Sequence, residues 1–234
     1  MFNGKRRIQF TIKHLAPDWA VIRAMIDIAW PATLQFLIGS GSWIVLASLV
    51  VTTGHSDASA GYQIAIRIVM FFMLPACGMS NAAATLVGQN LGALQPQRAE
   101  DSVIKTAQYN AVLMALVSII LLRFTPSIIS LFTWEAAVAY YAIVAVRIIS
   151  TGYIFYGIGM VMANSFNGAG DTLSPTIINL FGFWFFQIPL AWLLSITFAM
   201  GSTGVFIAIL AAETAISIIA CTLFKKGKWK LKKV

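Results

Sequence analysis

Residues 172–212 read TLSPTIINLFGFWFFQIPLAWLLSITFAMGSTGVFIAILAA, with no Asp, Glu, Lys or Arg anywhere in the run. A helix needs about 20 apolar residues to cross the hydrocarbon layer, and inside lipid it must satisfy its own backbone hydrogen bonds. This run is about twice that length, and Gly201-Ser202-Thr203-Gly204 cuts it where a turn is needed. It therefore predicts two spans. Working outward, charge-free runs at 28–53, 68–97, 106–122 and 148–170 each supply one more. The expected fold class is all-α: a polytopic membrane protein with six transmembrane helices.

Composition agrees. Mean hydropathy is +0.82, and 59% of the 234 residues are apolar while 10% are charged, against about 25% charged in a soluble domain. The net charge of +8 sits largely at the ends. Bases flanking apolar spans read as topology charge, and no nucleic-acid partner is expected. With a cytoplasmic N-terminus, the inner side collects Lys5, Arg6, Arg7, Lys13 and Arg23, then Arg98 and Lys105. It also collects Lys225, Lys226, Lys228, Lys230, Lys232 and Lys233. That makes thirteen bases against Arg123 alone outside, with Arg67 and Arg147 within or near the spans. Such an imbalance predicts both termini in the cytoplasm and a multi-pass protein of the inner (plasma) membrane. The basic start has no short apolar stretch and cleavage site behind it, so no secretory signal is expected. The division is a cytoplasmic segment at 1–26, the six-helix lobe at 27–224 and a basic tail at 225–234.

Pro17-Asp18-Trp19 has the chemistry of a helix start. The spans are expected at about 27–51, from about 61 with a bend at Pro75 and Gly78, up to about Arg123, at 138–166, at 175–199 with an interruption at Pro189, and at 204–224. Thr52 to Asp57 forms an outer loop, and Trp30, Trp134 and Trp229 read as interfacial anchors.

Polar groups inside a membrane are costly, so each is a functional candidate. Tyr153, Tyr156, Met160, Asn164 and Asn167 recur every three or four residues on one face of the fourth span. Arg67, Met70, Leu74, Gly78, Asn81 and Thr85 do the same on the second. Two such faces can line a cavity whose Met and aromatic groups adapt to varied ligands; equally, they can be helix–helix interfaces with polar glue. Glu213, near the middle of the last span, is either a proton- or cation-linked carboxylate or a structural partner of Arg147 or Arg67, the pairing being the commoner solution. No enzyme is expected. His14 and His55 fall on opposite sides of the membrane, and Cys77 and Cys221 read as buried structural thiols rather than disulfide or metal ligands. The Gly-rich loop before Asp171 lacks the lysine of a phosphate loop and reads as a tight turn.

Pro75-Ala76-Cys77-Gly78-Met79-Ser80-Asn81-Ala82-Ala83-Ala84-Thr85-Leu86-Val87-Gly88-Gln89-Asn90-Leu91-Gly92-Ala93, with Gln97-Arg98-Ala99-Glu100 behind it, resembles the inner-loop signature of multidrug and toxic compound extrusion (MATE) transporters. So does Phe166-Asn167-Gly168-Ala169-Gly170-Asp171-Thr172, followed by Pro175-Thr176. The resemblance runs from about Ala16 to Phe224, and Pro31 leading Gln35 fits the family's seventh helix. It implies the C-terminal six-helix lobe of a twelve-helix exporter of small amphipathic or cationic drugs. It also implies no cofactor, a sodium ion or proton gradient as driving force, and a partner that is an N-terminal six-helix lobe or a second copy. Gln35, Met70, Met73, Asn81, Tyr153, Tyr156, Met160 and Asn164 are the implied substrate contacts, with Arg67, Arg147 and Glu213 as coupling or structural charges. Gly88, Asn90, Gly92, Gly168 and Gly170 shape the inner turns. The acids that sodium-coupled members carry in their seventh and tenth helices fall near Gly39 and at Tyr156, neither of which is acidic. Other expectations are a lipid-intermediate flippase, which needs a basic cavity for a diphosphate head group, and a membrane segment that packs against a partner and transports nothing.

Overall fold

The computed structural model describes residues 18–231; His14 and the first bases lie outside them. Helix covers nearly all of this stretch, and no strand occurs among the described residues. Asp18 accepts a hydrogen bond from the Ala20 N–H at 2.9 Å and caps the first helix, as Pro17-Asp18-Trp19 predicts. Helical residues then run from Trp19 to Gly92, broken by one residue, His55, at φ 58° and ψ −161°. A straight helix of that length would reach about 110 Å, far more than the roughly 30 Å of hydrocarbon. Gln35 and Trp43 instead line the same cavity as Met70 and Met73, so the chain turns back at His55 into α1 (19–54) and α2 (56–92). The expected outer loop from Thr52 to Asp57 is thus reduced to a single positive-φ residue, in a region that side chains other than glycine rarely adopt.

Pro96 opens α3, which runs Pro96–Ile129 and passes straight through Arg123, the expected end. Pro126 removes the backbone donor that would reach the Leu122 carbonyl, yet the helix continues past it to Ile129. Lipid makes continued winding preferable to an open end. The fourth span is two helices, α4 (Ala136–Thr151) and α5 (Tyr153–Gly168), bent by 56°. The span expected over 138–166 is present but bends at Gly152, where the Leu210 side chain fills the space that a Cβ would occupy.

α6 spans Leu173–Thr197 without interruption. Pro189 is absorbed by π-helical winding over Leu180–Gln187 and again over Leu193–Thr197, the Ile188 N–H reaching back to the Phe183 carbonyl. The wider turns accommodate the proline ring, and the interruption expected there does not occur. Gly201, at φ 59°, turns the chain into α7 (Ser202–Lys225). Split at His55, and with the bent pair as one, these helices divide into six membrane-length segments.

After α7 the chain folds back. Trp229 is only 1% exposed, donates its indole N–H to the Phe224 carbonyl at 3.1 Å and stacks on the Phe224 ring at 4.8 Å. Phe224 in turn meets Phe166 edge-on at 6.2 Å, and Lys230 pairs with Glu100 at the start of α3. Trp229 is therefore a core side chain rather than the interfacial anchor expected; Trp30 and Trp134 are exposed.

Hydrogen bonds between helices fall into two sets. Thr176 Oγ1 donates to the Pro31 carbonyl at 2.8 Å, Trp184 Nε1 to that of Ile38 at 3.0 Å, and Ser42 Oγ to Gln187 Oε1 at 2.9 Å, binding α6 to α1. Tyr153 donates to the Val69 carbonyl at 3.0 Å, Asn110 to that of Gly157 at 2.9 Å, and Ser118 to that of Ser150 at 2.7 Å. These bonds tie α2, α3, α4 and α5 together. Away from the inner turn at Asp171, no side-chain hydrogen bond among the described residues joins one set to the other.

Candidate functional site

A cavity of about 500 Å³ lies between the two sets. From α1 come Gln35 and Trp43, and from α6 Asn179 and Phe183. Facing them, α2 presents Val69, Met70, Met73, Leu74 and Cys77, and α5 presents Tyr156, Met160 and Asn164. α7 adds Glu213 and Ile216. The positions on α2 step by three or four residues, the spacing of one helix face. A larger and shallower groove between α1 and α6, lined by residues such as Val45, Leu49, Phe185 and Pro189, offers no ionisable or amide side chain.

Of the expected contacts, Gln35, Met70, Met73, Tyr156, Met160 and Asn164 meet in this cavity. Tyr153 and Asn81 do not line it. Tyr153 is fully buried, its hydroxyl spent on the Val69 carbonyl. Asn81 is exposed and accepts a hydrogen bond from Asn164 Nδ2 at 3.3 Å. The same Nδ2 donates to Ser80 Oγ at 2.8 Å, and Asn164 Oδ1 accepts from Asn167 at 3.3 Å, so this amide cluster closes the floor of the cavity. Below it α2 and α5 touch backbone to backbone: a Cβ on Gly168 would lie 2.7 Å from Ala84 Cα. In the lower part of the expected α2 stripe, Thr85 is exposed and does not line the cavity. The following turn is tight, with Gly170 at φ 75° and the Asp171 carboxylate accepting from Ser174 Oγ at 2.6 Å.

Several lining residues were not expected as contacts from the sequence, among them Cys77, Trp43, Asn179 and Phe183. Cys77, expected as a buried thiol, is half-buried and free, and it faces the cavity four residues after Met73. Its spacing carried that signal. Trp43, Asn179 and Phe183 enter only because α1 and α6 pair.

Glu213 is the one charged side chain on the lining. The expected pairing with Arg67 or Arg147 does not form; both arginines are exposed, and the ion pair among the described residues is Lys230 with Glu100. Arg147 sits before the bend at Gly152, whereas Glu213 faces α5 beyond it, where its carboxylate lies against the Tyr156 hydroxyl. That hydroxyl is buried and makes no hydrogen bond of regular geometry. Among the described residues no three of His, Cys, Asp and Glu gather as metal ligands.

The family model described as MatE matches residues 31–193, a stretch that runs from within α1 through most of α6. The chain belongs to the MatE family. It is 25% identical to a probable multidrug resistance protein NorM of Thermotoga maritima, over 98% of this chain and 50% of that protein. It is 26% identical to the multidrug export protein MepA of Staphylococcus haemolyticus, over 91% of this chain and 46% of that protein. A MOP superfamily transporter from Pyrococcus furiosus shares the fold, with a TM-score of 0.90 over 98% of this chain and 52% of that one, at 21% identity. The chain spans about half the length of the curated relatives it matches.

Within this MatE fold Tyr153 is a positioning residue. Tyr153→Phe is expected to lower stability by about 1 kcal/mol, the net worth of one buried hydrogen bond. A thermal unfolding midpoint unchanged in detergent would remove that assignment.

Proposed function

We infer that this chain is the ligand-binding lobe of a multidrug efflux transporter, exporting small amphipathic or cationic compounds in exchange for sodium ions or protons. The observation that carries the reading is the cavity. Its volume suits a drug-sized ligand, and Met70, Met73 and Met160 offer deformable apolar contacts to differently shaped molecules. Trp43 and Phe183 add ring faces for a cation, and Glu213 is unmatched by any lining Lys or Arg. Gln35, Tyr156 and Asn164 are the polar contacts in this reading, while Tyr153 and Asn81 hold the walls. The relatives named for multidrug resistance and export support the reading. The partner is a second six-helix lobe or a second copy, across which the bound compound passes by alternating access. The excess of inner bases supports a plasma membrane location with both termini cytoplasmic. A lipid-diphosphate flippase is disfavoured, because the cavity lining has no base for the head group.

The test is accumulation of a fluorescent lipophilic cation in efflux-deficient bacteria producing the chain. Accumulation is expected to fall, and to recover when the ion gradient is dissipated. Unchanged accumulation, with the protein present in the membrane, would favour the non-transporting reading.

A further inference from the structure

A wall that only has to be apolar can be built from leucine, as it is at Leu74. Yet three of the chain's nine Met and one of its two Cys line this one cavity, so sulfur is gathered here beyond what filling space requires. Met70, Met73 and Cys77 step by three and four residues along one face of α2. Met160 comes from the neighbouring wall, α5. Two hydrogen bonds fix how these helices stand against each other. The Tyr153 hydroxyl donates to the Val69 carbonyl and Asn164 Nδ2 donates to Ser80 Oγ, and the partners are 84 residues apart in both cases. Between these anchors α2 and α5 therefore run in the same direction and in constant register. Carried to Met160, that offset gives Ala76, the neighbour of Cys77 and within one turn of Met73. The Cys77 thiol is free, and Met73, Cys77 and Met160 are all partly buried. Met70 is half exposed and continues the row by a turn.

The donor set decides which ion could sit there. Among the described residues no three of His, Cys, Asp and Glu gather, so ions that prefer oxygen or imidazole find no cage. Thioether and thiolate sulfur instead select soft monovalent ions, copper(I) and its surrogate silver(I). A thiolate also cancels the charge of such an ion, so a metal held here adds no net charge to an apolar interior.

We propose that Met73, Cys77 and Met160 form a three-sulfur site that binds a soft monovalent metal ion of the copper(I) class as a ligand of the cavity. On binding, the Cys77 S–H bond breaks, its proton passes to water, and a metal–sulfur bond takes its place. The two thioethers donate lone pairs to the same ion. Nothing is oxidised or reduced. The site shares the cavity with the drug reading and does not rest on it.

The experiment titrates silver(I) nitrate into the full chain in lipid nanodiscs, in chloride-free buffer. Cys221→Ala removes the other thiol, and empty nanodiscs give the background. One silver ion is expected per chain, with X-ray absorption showing sulfur neighbours. Met73→Leu and Met160→Leu keep the bulk of the side chain and remove its sulfur. Each should weaken silver binding by about tenfold or more, since even the loss of a partner behind a ligand costs that much. Cys77→Ser should fall to background, while Met79→Leu, off the cavity lining, should bind as its parent does. Tetraphenylphosphonium binding, measured on the same proteins, should persist in the leucine variants and show that the cavity is folded. Silver affinity unchanged by both Met73→Leu and Met160→Leu would overturn the proposal and leave a lone reactive thiol. So would zinc(II) binding as tight as silver's, or no saturable silver binding above background. Silver binding as expected, in a parent that does not bind tetraphenylphosphonium, would sink the drug reading and leave the metal site standing.

Discussion

Trp229→Ala is expected to lower stability by about 3 to 5 kcal/mol, the range for deleting a fully buried large aromatic. Trp229 stacks on Phe224, which meets Phe166 at the end of α5, so one indole holds together the ends of two spans. The neighbouring Lys230–Glu100 pair is partly exposed and contributes little by comparison. Thermal unfolding of the purified protein in detergent separates the two: Trp229→Ala should drop the midpoint sharply, and Lys230→Ala hardly at all. Equal, small effects would mean that the segment after α7 is a loose strap with no part in the core.

The second large effect is expected at Gly168. An added methyl group there would press on the Ala84 main chain, 2.7 Å from Cα and 2.8 Å from the carbonyl carbon. Side chains can move aside, but a helix backbone moves only as a whole, so α2 and α5 would have to part. Overpacking of this kind costs about 3 kcal/mol. The amide cluster of Ser80, Asn81, Asn164 and Asn167 lies a turn above and would be pulled open with it. Gly78→Ala is the control: a Cβ there meets nothing within 4 Å, and removing a helical glycine is neutral or mildly stabilising. Equal unfolding midpoints for Gly168→Ala and Gly78→Ala would contradict the close contact.

The apolar runs were legible because lipid tolerates so little charge; 28–53 or 172–212 admits no other reading. Helix ends were much less so. Pro126 and Pro189 would stop a helix in water, where a freed carbonyl can turn to solvent. Inside a membrane the chain keeps winding past both, at Pro189 with π turns. His55 shows the opposite failing, a whole polar loop anticipated where one positive-φ residue suffices. Within the cavity, Met70, Tyr156, Met160 and Asn164 could be found by spacing alone, since each helix declares its own face, whereas Met73 came with the resemblance. Trp43 and Phe183 could not, because their inclusion depends on which helices pair. The neighbour of Glu213 was hidden for a related reason: which side chain meets it depends on how α5 packs against α7.

The separation of the interhelical hydrogen bonds into two sets has a consequence for handling the protein. Away from the turn at Asp171, the seam between α1–α6 and α2–α5 carries no side-chain hydrogen bond among the described residues, so parting it there breaks none. Lipid tails wet apolar surfaces about as well as other side chains do. The gap is thus held shut by the lateral pressure and fit of the surrounding acyl chains as much as by the polypeptide. A short-chain detergent that wedges into the seam will change the shape of the cavity without unfolding a single helix, and ligand affinities will depend on the amphiphile in which they are measured.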